Sequence, residues 1–246
     1  MKIAIIGYGR MGKEIEQAAK SMGIEVASII DPKAAGAACK EITADCLKDV
    51  DVAIDFTTPS AVVGNIKKVA AAKKNMVIAT TGWHDKVDEV EKIVLDSGIG
   101  LIYSSNFSLG VNLFLQVVEE AAKKFGKFDI YDAFGYELHH NQKLDSPSGT
   151  AKSISKIMVE HIPHKKKVVE EKLDRKIEPE ELHFASVRVG WIPGTHVVGF
   201  DSEADTIELK HTARGRKGFA QGALLAAQWI RGKKGLFTMQ DFMEDK

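Results

Sequence analysis

The sequence predicts an α/β protein, with a doubly wound parallel sheet and a second α+β domain built on a mostly antiparallel sheet. Three observations carry this expectation. Short apolar runs alternate with amphipathic helical stretches from residue 3 to residue 103. A glycine-rich turn, Gly7-Tyr-Gly-Arg-Met-Gly12, joins the first run to the first helix. After residue 184, strand-like segments follow one another with no helix between them. Short connections of that kind suit antiparallel neighbours, because parallel ones need a long crossover.

The elements follow in order. Ile3-Ala-Ile-Ile6 is continuously apolar, as a strand buried on both faces must be. Met11 to Met22 reads as a helix with Ile15, Ala18 and Ala19 on its apolar side. Glu25 to Asp31 is a second strand ending in an acid, and Val52 to Phe56 a third. Pro59 opens a helix running to Ala72, a position where proline's missing N–H costs nothing. Met76 to Ala79 is the fourth strand, Val87 to Leu95 a helix, and Gly100 to Tyr103 the fifth strand. Past Ser104 the pattern changes. Val111 to Phe125 and Gly149 to His161 are helical, and Phe128 to His139 reads as a longer strand. Pro163 to Glu181 is dense in charge and reads as a surface loop or exposed element. Phe184–Val189, His196–Phe200 and Asp205–His211 are successive strands, and Lys217 to Arg231 is the last helix.

Composition narrows the function. The chain has 246 residues, room for two small domains, with 44% hydrophobic and 28% charged residues. Lys+Arg and Asp+Glu both total 34, so the net charge of zero disfavours a nucleic-acid partner. Cys39 and Cys46 are the only cysteines, too few for a disulfide framework or a cysteine zinc site. Both are expected as small apolar residues or free thiols of a reducing compartment. The four apolar residues before Gly7 are too short for a signal-peptide core, and no long apolar run follows. A cytoplasmic protein without a membrane partner is expected.

Gly7-x-Gly9-x-x-Gly12 sits between a predicted strand and a predicted helix. Glycines there permit a tight turn, close approach of a pyrophosphate, and helix-on-strand packing. The intervening Tyr8, Arg10 and Met11 belong to the same dinucleotide loop. Asp31 closes the second strand 19 residues after Gly12, where a carboxylate can accept from the ribose hydroxyls of NADH. It can equally start a turn before Pro32. Lys33 and Arg10 are cations that offset repulsion of a 2′-phosphate, so NADH, NADPH or both remain open. Ala79, Thr80 and Thr81 follow the fourth strand, and Ser104, Ser105, Asn106 and Phe107 the fifth. Ligands of open α/β sheets bind outside such strand ends, although either segment can be an ordinary polar loop.

Glu137-Leu-His-His-Asn-Gln-Lys-Leu-Asp-Ser-Pro-Ser-Gly-Thr-Ala151 is the densest chemistry in the chain. His139 and His140 can exchange protons near neutrality, and Lys143 is a cation able to protonate or stabilise a developing anion. Ser148, Gly149 and Thr150 open a helix, where amides and hydroxyls can cradle a carboxylate. Adjacent strand residues point to opposite faces, which argues against both histidines holding one metal. The plain readings are structural histidines, a solvated lysine and a helix cap.

Together with Asp55-Phe-Thr, Thr80-Thr-Gly82 and Asn106-Phe-Ser-Leu-Gly-Val-Asn112, these motifs resemble the dihydrodipicolinate reductase family, also called 4-hydroxy-tetrahydrodipicolinate reductase, of the diaminopimelate route to lysine. They occur in the family's order and span nearly the whole chain. The resemblance implies a Rossmann-like domain from residues 1–110 plus 216–246. It also implies a substrate-binding and oligomerising domain from residues 111–215, which builds a homotetramer through its sheet. It gives His139 and Lys143 proton-transfer roles, and gives His140, Gly149 and Thr150 contact with a small dicarboxylic cyclic imine. Arg216 and Phe219 match family positions near the cofactor or the domain junction. The chain departs from the pattern at Ala79, where glycine is common, at Ser104 and Ser105, and at Asp31, which replaces a Glu-Arg pair. Rival readings are another NAD(P) reductase on a related scaffold and a non-catalytic nucleotide sensor. No cysteine nucleophile lies in the site loops, and a sensor has no use for the His-His-Lys cluster.

Overall fold

The computed structural model describes residues 1–245, which form two compact units. The first contains Met1–Leu109 and the chain from Arg216 onward, and the second contains Gly110–Gly215.

The first unit is a parallel sheet of β1 (Lys2–Ile6), β2 (Glu25–Ile30), β3 (Val52–Asp55), β4 (Asn75–Ile78), β5 (Gly100–Tyr103) and β11 (Gly235–Thr238). The strand order is β11-β5-β4-β3-β1-β2. Successive strand residues point to opposite faces, and both faces are apolar. Ile3, Ile5, Ile54, Val77 and Ile102 pack in one core with residues of α1 (Arg10–Ser21), α7 (Lys217–Ile230) and α8 (Met239–Glu244). Ala4, Ile6, Ala53, Met76 and Ile78 pack in the other, with α3 (Pro59–Ala71), α4 (Val87–Ser97) and the buried Trp83. Each large apolar side chain so withdrawn from water contributes about 1.5–3 kcal/mol. This is the fold class the sequence predicts, a Rossmann-like doubly wound sheet.

The second unit holds α5 (Leu109–Phe125, whose first residue lies in the first unit), β6 (Asp132–His139), α6 (Gly149–His161), β7 (Lys167–Val169), β8 (Glu181–Arg188), β9 (Thr195–Asp201) and β10 (Thr206–Thr212). Its sheet order is β10-β9-β6-β8-β7. Phe114 and Val118 of α5 and Ile154 and Met158 of α6 cover one face, against Phe184, Val198 and Phe200.

Several expectations need correction. The second sheet is mixed, since β6 pairs antiparallel with β9 but parallel with β8, and β8 parallel with β7. Helix α6 provides the crossover that parallel pairing requires. Residues 128–131 are not strand. The Phe128 amide donates to the Phe125 carbonyl at 3.0 Å and the Tyr131 amide to the Phe128 carbonyl at 3.1 Å, which makes a turn. The charged stretch 163–181 includes the short strand β7, and it is not all exposed, because Lys165 is fully buried. Lys165 donates to the carbonyls of Pro179 (2.9 Å) and Glu181 (2.8 Å) and pairs with Asp132 at 2.5 Å, so its charge is compensated. Cys39 and Cys46 are not free thiols. They form a disulfide across a separation of 7 residues. The short helix α2 (Ala44–Leu47), the strand β11 and the helix α8 were not predicted. None of the three is long enough to show a hydrophobic period. No described helix is long and apolar enough to cross a membrane.

Candidate functional site

The chemistry-bearing residues gather in two places, one in each unit. In the first unit, β1 ends at Ile6, Gly7 turns with φ +89°, and α1 starts after Gly9. A side chain on Gly12 would strike the Gly7 carbonyl, so only glycine lets the helix begin this close to the strand. A side chain on Gly9 would meet open space, and no side chain caps the first turn of α1. Free amides and room at a helix N-terminus are what a pyrophosphate needs, so the loop fits a dinucleotide.

An open cleft of about 350 Å³ runs from Gly9, Arg10 and Met11 past Phe56, Thr57 and Pro59 to Ala79, Thr80 and Thr81. It lies over the ends of β1, β3 and β4, beside the switch point where the chain passes from β2 on one side of β1 to β3 on the other. Asp55, fully buried at the end of β3, braces this rim. Its Oδ1 accepts from the Thr57 amide (2.9 Å), the Thr57 hydroxyl (2.7 Å) and the Thr80 hydroxyl (2.9 Å), and its Oδ2 accepts from Asn65 (2.8 Å). Burial pushes the Asp55 pKa up, against those hydrogen bonds.

Asp31 acts as a turn starter in this structure. Its Oδ2 accepts from the Tyr8 amide, and its Oδ1 from the amides of Lys33 and Ala34, each at 2.8 Å. The Tyr8 bond leads in holding its carboxyl below the usual range, although burial works the other way. Asp31 is therefore a carboxylate fixed beside the glycine loop. Ser104, Ser105, Asn106 and Phe107 do not line the cleft. Ser104 Oγ accepts from the Asn106 amide at 3.0 Å, and the Phe107 ring is buried in the core.

In the second unit, strand register assembles the site. Along β6, Ala133, Gly135, Glu137 and His139 are buried and alternate with half-buried residues of the other face. Directly opposite residues share a face. Glu137 therefore meets Ser186 of β8 and His196 of β9, and His139 meets Arg188 of β8. Glu137 Oε1 accepts from the Ser148 amide (3.0 Å), the Ser186 hydroxyl (2.9 Å) and Arg188 Nη2 (3.0 Å). Its Oε2 lies 3.2 Å from His139 Nε2 and 3.3 Å from His196 Nε2. Burial opposes the Glu137 charge, but the contacts from His196, Ser148 and Ser186 outweigh it and hold its pKa well below the ordinary value.

His139 Nδ1 lies 3.2 Å from the Pro193 carbonyl. A carbonyl only accepts, so Nδ1 carries the hydrogen. Gly194 passes so close that a side chain there would lie 2.9 Å from His139 Cε1. Burial lowers the His139 pKa. Glu137 pulls it up, and the charges of His196 and Lys143 push it further down. Lys143, at the edge of the loop, donates to both Asp145 oxygens (2.7 and 2.9 Å) and so lowers the Asp145 pKa. His140 is half-buried, and its carbonyl accepts from the Lys143 amide at 3.1 Å.

Ser148 is expected from the sequence to offer its amide and hydroxyl to a ligand, and in this structure both make bonds within the protein. Ser148 is buried and turned inward. Its amide bonds Glu137, and its hydroxyl caps Ala151 (3.1 Å) and contacts His196 Nε2 (3.1 Å). Gly149 is exposed and Thr150 half-exposed in the first turn of α6. Glu137, His139 and His196 place one carboxylate oxygen and two ring nitrogens within 4.8 Å. Arg188 and Ser148 already bind this cluster, and a second cation would face the guanidinium. The trio therefore reads as a close cluster of ionisable groups already held by Arg188 and Ser148, and not as a metal cage. Sequence reasoning missed His196, Arg188 and Ser186 because each lies about fifty residues from its partner.

With this geometry in place, comparison with known proteins is consistent along the chain. Residues 1–107 match the family described as dihydrodipicolinate reductase, N-terminus, and residues 110–243 the one described as dihydrodipicolinate reductase, C-terminus. The chain is 38% identical to the 4-hydroxy-tetrahydrodipicolinate reductase of Christiangramia forsetii, covering 100% of this chain and 98% of that protein. It is 37% identical to that of Methanoregula boonei, covering 98% and 97%. Among solved structures, dipicolinate-bound dihydrodipicolinate reductase from Paenisporosarcina sp. TG-14 shares the fold, with a TM-score of 0.77, 24% identity and 97% coverage of both chains. A DAP dehydrogenase from C. glutamicum shares it more distantly, at a TM-score of 0.56 and 13% identity over 97% of this chain and 92% of that one. The chain belongs to the dihydrodipicolinate reductase family.

Proposed function

We propose that the chain converts 4-hydroxy-tetrahydrodipicolinate to tetrahydrodipicolinate. Loss of the 4-hydroxyl as water leaves a conjugated cyclic imine. One hydride and one proton then complete the reduction. The observation that carries this reading is the placement of His139, His140, Lys143, Gly149 and Thr150 in one segment of the second unit, in a chain whose family match runs through both units.

NADH or NADPH, when bound, supplies the hydride. The glycine loop and the cleft beside Arg10, Thr57 and Thr80 would hold its phosphates and ribose. The ionised Asp31 favours ribose hydroxyls over a 2′-phosphate, and Arg10 and Lys33 temper that preference. In the second unit, the first-turn amides of α6 at Gly149 and Thr150 would grip one substrate carboxylate. His140 would orient the ring. Lys143, released from Asp145 by the incoming dicarboxylate, would deliver the proton together with His139. The homotetramer and the cytoplasmic setting follow from the family resemblance, and light scattering giving the mass of four chains tests the former.

The direct test follows oxidation of NADH and of NADPH with the substrate generated in place. Oxidation that needs both protein and substrate supports the reductase. Cofactor binding without turnover would favour a nucleotide sensor.

A further inference from the structure

The second unit contains a buried carboxylate that touches both halves of the proposed site and that the reaction itself does not use. Glu137 is fully buried and sits in the middle of three strands. One oxygen faces the imidazole of His139, and the other accepts the amide of Ser148, the N-cap of α6. We propose that Glu137 is the positioning residue of the site, holding the His139 imidazole and the Gly149–Thr150 end of α6 in register through one carboxylate. This rests on the reading of that loop as the reaction site.

The imidazole side follows from hydrogen positions. Nδ1 of His139 donates to the Pro193 carbonyl, so Nε2 is the nitrogen that gains and loses a proton. Nε2 lies 3.2 Å from Glu137 Oε2. The carboxylate therefore favours the protonated ring and fixes where the proton resides. Arg188 on Oε1 keeps Glu137 ionised without approaching through Oε2. The other charged or titratable groups around the ring are His196 of β9, Lys143 with its partner Asp145 in the loop, and, next to His196, His211 of β10. Burial, His196 and Lys143 act against protonation of His139, and Glu137, ahead of the Pro193 carbonyl, acts for it.

The helix side is equally direct. The Ser148 amide is one of the donors that a helix start leaves unmatched. Glu137 Oε1 takes it at 3.0 Å, while the Ser148 hydroxyl caps Ala151. The amides of Gly149 and Thr150 are then aimed by a residue anchored to the sheet. A shift of an ångström in such a site costs on the order of 10²-fold in rate.

The experiment uses the full-length chain. Imidazole-nitrogen NMR of the wild-type protein should show His139 as the Nδ1–H tautomer, titrating at Nε2. A neutral ring protonated at Nε2 overturns the proposal without any variant. In Glu137→Gln, the His139 titration should move to lower pH, kcat should fall on the order of 10²-fold, and substrate KM should rise. NADH affinity, measured on the same sample, reports that the chain has folded. Glu137→Asp should recover part of kcat and return the titration toward wild type. Unchanged kcat, KM and His139 titration in folded Glu137→Gln would refute the positioning role. Full turnover in His139→Asn would instead refute the reading of the loop, so the two failures are distinguishable.

Discussion

Glu137 of β6 and His196 of β9 face each other across an antiparallel pair, with His196 Nε2 3.3 Å from Glu137 Oε2 and 3.1 Å from Ser148 Oγ. The contact joins the sheet to the first turn of α6. It therefore ties the His139 end of β6 to the first turn of α6, and changes in charge at this point should affect both stability and turnover.

Stability should fall on mild acidification. Burial pushes His139 and His211 below the ordinary histidine value. Unfolded histidine titrates near ~6.5, so below that pH the unfolded chain binds more protons than the folded one. Their contribution is complete above pH ~6.5 and lost as the pH falls. Glu137, with its pKa depressed, acts in the same direction lower down. Its contribution is complete above the unfolded glutamate value of about 4.3 and lost as pH falls through its folded value. Urea midpoints should decline between neutrality and about pH 5.5, and His211→Asn should flatten the decline. A flat wild-type midpoint would exclude this linkage.

Replacing Asp31 should change cofactor choice. The carboxylate is ionised and lies beside the loop that would hold the adenosine phosphates. Because the group is partly exposed, the effect is modest. Asp31→Asn should raise the NADPH-to-NADH ratio of kcat/KM by roughly threefold to tenfold. Steady-state rates with both cofactors decide it, and an unchanged ratio leaves Asp31 as a turn residue alone.

Asp55 should matter for the cofactor and not for the imine. Removing it in Asp55→Ala leaves the Thr57 amide, two hydroxyls and Asn65 without their shared acceptor. Thr80 is buried, whereas Thr57 and Asn65 are half-buried and the Thr57 amide keeps the Thr80 hydroxyl at 3.0 Å, so the loss is about 1–3 kcal/mol before relaxation. Thermal unfolding should occur at lower temperature and the KM for NADH should rise several-fold, while substrate KM stays near wild type. An equal rise in both KM values would contradict a role confined to the first unit.

The disulfide should report on the same region. Cys39 is bridged to Ile30, and its carbonyl accepts from the Asp31 amide at 3.0 Å. A cross-link closing so short a loop contributes about 2 kcal/mol. Reduction by a dithiol, or the Cys39→Ser and Cys46→Ser double substitution, should lower stability by that order and weaken NADH binding. Mass spectrometry of the alkylated protein verifies the bond, and NADH titration before and after reduction measures the coupling.

Much of this molecule is legible in local sequence windows. Strands such as Gly100–Tyr103 and helices such as Gly149–His161 lie where hydrophobic period and cap residues put them. Gly7 to Gly12 and Glu137 to Ala151 each carry a family motif within a few turns of chain. Other features were not legible. Residues 128–131 are apolar enough for a strand yet form a turn, because the chain must leave α5 before β6 can pair. Ser148 reads as a ligand donor until a buried carboxylate takes its amide. The sequence by itself determined the alternation of elements, the glycine loop and the family motif of residues 137–151, since each depends on neighbours within about fifteen residues. Only the tertiary structure decided that Glu137 meets His196, Ser186 and Arg188, and that Cys39 meets Cys46. Those contacts depend on strand register and chain return, and a shift of one residue would turn every side chain of β6 to the other face.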